Sequence, residues 1–255
     1  MTTAIETEQL EAKVRRMYRD VAERPGGSYH FETGRPLAER LGYDAAMLDR
    51  IPQAALDSFA GVGHFFDLAV LTPGERVFDL GSGSGTDSFI AGTLVGPSGM
   101  VVGVDFTPEQ LAKARGLASE TGVDDHVQFR NGRIESLPAP DGAVDCVISN
   151  GVINLCPDKA SVFREVARVL RPGGRLAIAD IVTERQLATS IVCNVDLWAS
   201  CIGGAAQESD YRQAIEDAGL RIQHVRGNPY EFLSDGARGA TTTYGVKSIS
   251  LLAIK

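Results

Sequence analysis

Arg76-Val77-Phe78-Asp79-Leu80-Gly81-Ser82-Gly83-Ser84-Gly85, residues 76–85, decides the fold. A short apolar run ends at Asp79 and Leu80, breaks into three alternating glycines, and continues as a helical segment around Asp87–Leu94. That is a strand–turn–helix, and glycine is the residue that lets a backbone bend sharply and lie close against a ligand. Further along, Met100–Val104 reads as a second strand, and Asp105 stands at its end, where a carboxylate can accept from both ribose hydroxyls of an adenosine cofactor. The glycine spacing discriminates among such cofactors. A dinucleotide turn needs G-x-G-x-x-G, yet Thr86 holds its third glycine position, and no Walker lysine follows. Asp79, two residues ahead of Gly81, suits the cationic amino group of a methionine moiety. The expected cofactor is S-adenosyl-L-methionine.

Working outward, strands and helices alternate. A helix is expected from Pro108 to about Thr121, strands at Val127–Phe129 and Val144–Ser149, and a helix over Lys159–Leu170 closed by Arg171-Pro172-Gly173-Gly174. A fifth strand follows at Leu176–Asp180, then a helix over Ser209–Ala218 and two last strands, Leu220–Val225 and Ser248–Ile254. Alternation of this kind makes an α/β fold with a doubly wound, Rossmann-like sheet. Ahead of it, Leu10, Val14, Met17, Tyr18 and Val21 lie on one helical face, and Pro36–Leu41 is a second short helix. The chain therefore divides into an N-terminal helical cap (residues 1–70) and a cofactor-binding domain (71–255).

The expected cofactor contacts are Asp79, Gly81, Ser82, Gly83, Gly85, Asp105 and its neighbour Phe106, with Ile134 and Glu135 at the adenine and Asn150 and Gly151 at the methionine end. The 255 residues carry a net charge of −8, without basic runs interleaved with aromatics, so nucleic acid is not an expected partner. No apolar run reaches the ~20 residues of a membrane span, and the first residues lack the pattern of a secretory signal. Four cysteines without a CxxC pair or histidine cluster argue against structural zinc or a disulfide framework and for a reducing, cytoplasmic setting. No metal site is expected, and a homodimer is left open.

VFDLGSGSGTDSFIA, VVGVDFTPEQLAKAR, RIESLPAPDGAVDCVISNGVINLCPDK, REVARVLRPGG and DLWASCIGGA together resemble the arsenite methyltransferase family, over roughly residues 37–220. The resemblance implies a seven-stranded class I methyltransferase sheet with an antiparallel final strand, and an enzyme that transfers a methyl group to a small-molecule acceptor. It also implies three cysteine thiolates for trivalent arsenic, soft ligands for a soft metalloid. Here only Cys201 stands at such a position; the other two fall on Val62 and Gly151. Cys156 and Cys193 are the thiols that could replace them.

Three functions are carried forward. One is methyl transfer to carbon, oxygen or nitrogen of a small molecule other than arsenite; the second is arsenite methylation with a reduced thiol set around Cys201. The third is a regulatory protein that binds the cofactor without turnover. If the acceptor must lose a proton, His64, just ahead of the first strand, is the first candidate base, with Tyr18, His30 and Glu32 behind it. Trp198 and Phe65 are candidates for the acceptor wall.

Overall fold

The computed structural model describes residues 7–192, 194, 197–198, 202–233 and 235–255. Its centre is a sheet of β1 (Arg76–Leu80), β2 (Met100–Asp105), β3 (Val127–Asn131), β4 (Val144–Asn150), β5 (Leu170–Thr183), β7 (Arg221–Gly227) and β8 (Lys247–Ile254), in the order β3-β2-β1-β4-β5-β8-β7. A two-residue strand, β6 (Ala206–Gln207), extends β5. The strands from β3 to β5 run parallel, and β8 lies antiparallel between β5 and β7. The strand order reverses between β1 and β4, so a crevice opens beyond their carboxyl ends, and that is where such sheets bind ligands.

Alternate residues along each strand serve opposite faces. On one face Val77, Val101, Cys146, Ile148 and Ala177 pack with residues of the N-terminal segment. On the other, Phe78, Val102, Val147 and Leu176 meet Val162, Phe163 and Val166 of α8 (Lys159–Val169) and Tyr211 and Ile215 of α10 (Glu208–Asp217). With both faces covered, β4 can be nearly all apolar. Cys146 within it is fully buried and acts as a packing residue.

The N-terminal segment contributes α1 (Thr7–Glu23), α2 (Arg35–Leu41) and three short helices, α3 (Ala45–Leu48), α4 (Gln53–Asp57) and α5 (Phe66–Ala69). Leu10, Leu37, Leu56 and Phe65 of this segment join the same core as Val77 and Ile148, so the N-terminal segment and the sheet share one apolar interior. Between β1 and β2 lies α6 (Thr86–Val95), and between β2 and β3 lies α7 (Pro108–Thr121), which starts with proline and ends at Gly122 in the left-handed region.

The structure departs from the sequence expectation in a few places. β5 starts at Leu170 rather than Leu176, because Arg171–Gly174 continues the ladder: the Lys255 amide donates to Gly174 and the Gly173 amide to Lys255. A register shift between Val144 and Cys146 absorbs the irregularity that proline and two glycines impose. Helices α3, α5, α9 (Thr189–Val192) and α11 (Asp235–Tyr244) were not foreseen; several are a single turn long, too short to carry a periodic signal.

Candidate active site

The turn after β1 is built from backbone. Gly81, Gly83 and Gly85 all have positive φ, at 68°, 53° and 96°. The Gly81 amide donates to the carbonyl of Val104 on β2 (2.7 Å), which ties the turn to the neighbouring strand. A Cβ on Gly81 would overlap Val152 Cγ2, and one on Gly85 would stand 2.6 Å from Phe129 Cζ. Gly83 differs: a Cβ there would stand 3.7 Å from Gln110 Oε1, an ordinary contact distance, at the margin of an open space.

That space is a cavity lined by Asp79, Gly81, Ser82, Gly83, Asp105, Phe106, Ile134, Glu135 and Asn150. At one end, Asp105 accepts from the Gly83 amide (2.9 Å) and the Thr107 amide (2.8 Å), one on each carboxylate oxygen. Each oxygen retains a lone pair for a ribose hydroxyl. Burial pushes the Asp105 pKa up, and the two amides oppose that. Ile134 and Phe106 offer apolar surface to a purine, and Glu135 an acceptor.

At the other end lie two buried carboxylates. Asp79 accepts from the Ser88 hydroxyl at 2.6 Å. Asp87, in the first turn of α6, accepts from the Tyr43 hydroxyl (2.7 Å) and from Asn150 Nδ2 (3.1 Å). Asn150 in turn accepts the Val62 amide at 2.7 Å and donates to the Gly63 carbonyl at 3.0 Å, holding the 61–63 loop against the end of β4. Burial raises the pKa of both aspartates; the negative charge of Asp87 raises that of Asp79 further, while the hydrogen bonds from Tyr43 and Asn150 oppose the rise at Asp87.

The cavity roof is α1, which contributes Leu10, Glu11, Val14 and Tyr18. Gln110 fastens it from below, donating to the Tyr18 carbonyl (2.8 Å) while accepting from Ser84 (2.5 Å). Arg133 holds it from the side through two hydrogen bonds to Glu11, of 2.5 and 3.1 Å, and also reaches Glu135 at 3.4 Å. Opening the roof must break the Glu11–Arg133 pair. Arg133→Ala is therefore expected to speed S-adenosylhomocysteine release by about two- to fivefold, the scale of a half-exposed ion pair. Stopped-flow fluorescence checks this; the gap between variant and parent should shrink in 1 M salt, where screening is strong.

Several expected residues lie elsewhere. His64 does not reach the cavity wall: its ring packs edge-on against Tyr43 (4.8 Å) and its Nδ1 lies 3.3 Å from Asp67, which Arg226 also holds. Gly85 and Gly151 support the wall without forming it. Cys201 and Cys193 lie outside the described residues. Tyr18 lines the cavity, whereas His30 packs on Phe31 and Glu32 pairs with Arg40. Phe65 is core, and Trp198 donates to the Leu155 carbonyl at 3.1 Å rather than facing the cavity. Cys156 does line it, and its thiol donates to Glu135 at 3.0 Å; burial pushes its pKa up to about 12, so it is held as the neutral thiol.

Asp87, Gln110 and the place of α1 over the cavity were missed by sequence reasoning. Only Asp87 carried a local sign, an acid two residues past the third glycine of the turn. Among the described residues no group of three metal-ligating side chains occurs, and no helix is long and apolar enough to cross a membrane.

A parallel sheet with this strand order, a glycine turn after β1 and an acid after β2 is the class I arrangement for S-adenosylmethionine. The residues present fit that group: a carboxylate for the ribose, an apolar slot with an acceptor for adenine, and two carboxylates for the ammonium. Comparison with known proteins agrees. The methyltransferase-domain family matches residues 71–219. An arsenite methyltransferase of Halobacterium salinarum is 41% identical over 212 residues, which is 82% of this chain and 54% of that protein. A 27-O-demethylrifamycin SV methyltransferase of Amycolatopsis mediterranei is 33% identical over 139 residues, 54% of this chain and 48% of that one. Among solved structures, an arsenic(III) S-adenosylmethionine methyltransferase from Chlamydomonas reinhardtii superposes with a TM-score of 0.64 at 30% identity, covering 87% of this chain and 73% of that one. The chain belongs to the methyltransferase-domain family, as a class I, S-adenosylmethionine-dependent member related to arsenite methyltransferases. It spans about half the length of the curated relatives it matches.

Proposed function

We propose that this chain transfers a methyl group from S-adenosylmethionine to carbon, oxygen or nitrogen of a small organic acceptor, and that arsenite is not its working substrate. The observation that carries the second half is the contact between Val62 and Gly151. The resemblance to arsenite methyltransferases assigns arsenic thiolates to both positions. Here a Cβ on Gly151 would stand 3.1 Å from Val62 Cγ1, so the two positions adjoin and neither carries the sulfur that the resemblance assigns to them. A neutral Cys156 hydrogen-bonded to Glu135 is a poor substitute, because trivalent arsenic binds thiolate.

When bound, S-adenosylmethionine supplies a methyl group already activated by its sulfonium. The protein's part is positional. Asp105 orients the ribose, and Asp79 and Asp87 fix the amino-acid end. Asn150 holds the 61–63 loop beside it, and α1 shuts out water. In this reading residues 1–70 serve as a cap over a 71–255 catalytic domain. Free, buried Cys146 and Cys156 suit a reducing compartment such as the cytoplasm.

The test is S-adenosylhomocysteine formation across a panel of small phenols, amines, carbon acids and arsenite with excess thiol. Turnover is expected with an organic acceptor and only background with arsenite. Arsenite-dependent turnover that disappears in Cys201→Ser would establish arsenite methylation with a reduced thiol set instead. Tight cofactor binding with no turnover on any acceptor would favour the non-catalytic reading.

A further inference from the structure

We infer that Asp87 is the second half of the cofactor's ammonium site, and that it shares one proton with Asp79 until the cofactor binds and that proton is released. This rests on the reading of the cavity as an S-adenosylmethionine site and adds a residue and a proton to it.

The geometry begins with topology. Asp79 is the penultimate residue of β1 and Asp87 lies in the first turn of α6, on either side of the glycine turn, and both carboxylates line the same cavity. Asp79 is 2% exposed and Asp87 6%, so neither charge is relieved by bulk water. The titratable groups that face them are Tyr43, from the loop after α2, and Asp105, from the end of β2. Both are acidic, and no cation stands among the groups acting on either aspartate. Arg133, the arginine that lines the cavity among the described residues, sits at the adenine end and is already bound to Glu11. Two buried carboxylates with no cation beside them do not both ionise at neutral pH.

The neutral donors around the pair are unevenly shared. Asp87 receives the side chains of Tyr43 and Asn150, one on each oxygen, whereas Asp79 is met by one residue, Ser88, through its hydroxyl and its backbone amide, among the described residues. Asp87 is thus the better stabilised anion and Asp79 the natural home of the proton, in line with the stronger upward shift that burial and the neighbouring charge impose on Asp79. An ammonium group placed between them reverses the balance. The Asp79 O–H bond breaks, its proton passes to solvent, and two carboxylates then face one cation carried by the cofactor.

The sign of the pH dependence follows. Both pKa values are raised in the empty protein, and the bound state needs both groups ionised. Affinity therefore falls as pH drops through the raised range, by up to about tenfold per unit where one proton is released. The empty chain behaves oppositely: carboxylates with raised folded pKa values stabilise it at low pH, and that contribution is lost as pH rises.

The experiment is isothermal titration calorimetry of S-adenosylhomocysteine at pH 7 in phosphate and in Tris, buffers with different ionisation enthalpies. We expect release of roughly one proton per bound ligand. The probe 5′-methylthioadenosine keeps adenosine and sulfur without the amino acid, and it should release close to none. In Asp87→Asn, Asp79 loses the neighbouring charge and is ionised in a larger share of the empty protein, so release at pH 7 should fall below that of the parent. Should that variant not fold, the two ligands on the parent protein decide the matter. Binding of S-adenosylhomocysteine without proton release, or equal release with both ligands, overturns the inference while leaving the cofactor assignment intact. Failure to bind S-adenosylhomocysteine at all overturns both.

Discussion

Replacing Asp105 with alanine is expected to weaken S-adenosylhomocysteine binding by roughly 100-fold or more. Hydrogen bonds to a charged group are each worth about 1.5–3 kcal/mol, and a carboxylate holding both ribose hydroxyls makes two of them. Asp105 also accepts the amides of Gly83 and Thr107, so alanine frees two backbone donors and slackens the turn that the ligand lies against. Asp105→Asn keeps the shape and part of the bonding, and its loss should be clearly smaller. Calorimetry on the three proteins decides it: a change below threefold in the alanine variant would remove the ribose from this end of the cavity.

The second large effect is steric. Gly81→Ala puts a methyl group into Val152 and forces a residue with a side chain to φ 68°. Left-handed backbone costs about 1–2 kcal/mol for an L-residue, and overpacking costs about 1–3 kcal/mol more. In a domain of this size the sum lowers Tm by on the order of 10 °C. Gly83→Ala isolates the two contributions, since its φ of 53° imposes strain while its nearest neighbour is 3.7 Å away. It should lose only the smaller amount. Equal Tm losses in the two variants would show that backbone strain alone, and not contact with Val152, makes glycine necessary at 81.

These contrasts indicate what was legible in the sequence. The turn, Asp79 and Asp105 could be read because their meaning is local: each sits at the end of an apolar run that forms a strand regardless of distant contacts. Ile134, Glu135 and Asn150 also line the cavity, for the same reason that strand ends in a parallel sheet open into one crevice. Asp87 could not be assigned that way. Its partners Tyr43 and Asn150 are 44 and 63 residues distant, and only the folded cap brings the tyrosine to it. His64 illustrates the opposite case. Its place just ahead of the first strand says nothing of where its ring turns. Its carbonyl instead accepts from Ser250 and Arg226, and the ring turns toward Asp67, away from the cavity. The amphipathic face of α1 was evident, but which of its residues roof a cavity depends on how α1 docks, and no spacing encodes that.

The interior that the cap shares with the sheet bears on how such a protein changes its acceptor. Leu10, Leu37, Leu56 and Phe65 pack in the same cluster as Val77 and Ile148, so the N-terminal helices are not a module that recombination could exchange cleanly. A transplanted cap would arrive with side chains cut for another sheet and would leave voids or clashes beneath it. New chemistry is more cheaply reached one side chain at a time. On the function proposed above, Val62 and Gly151 are two such places, both buried and adjoining in space though 89 residues apart in the chain, where the sulfur is gone while the architecture around the donor is inherited whole.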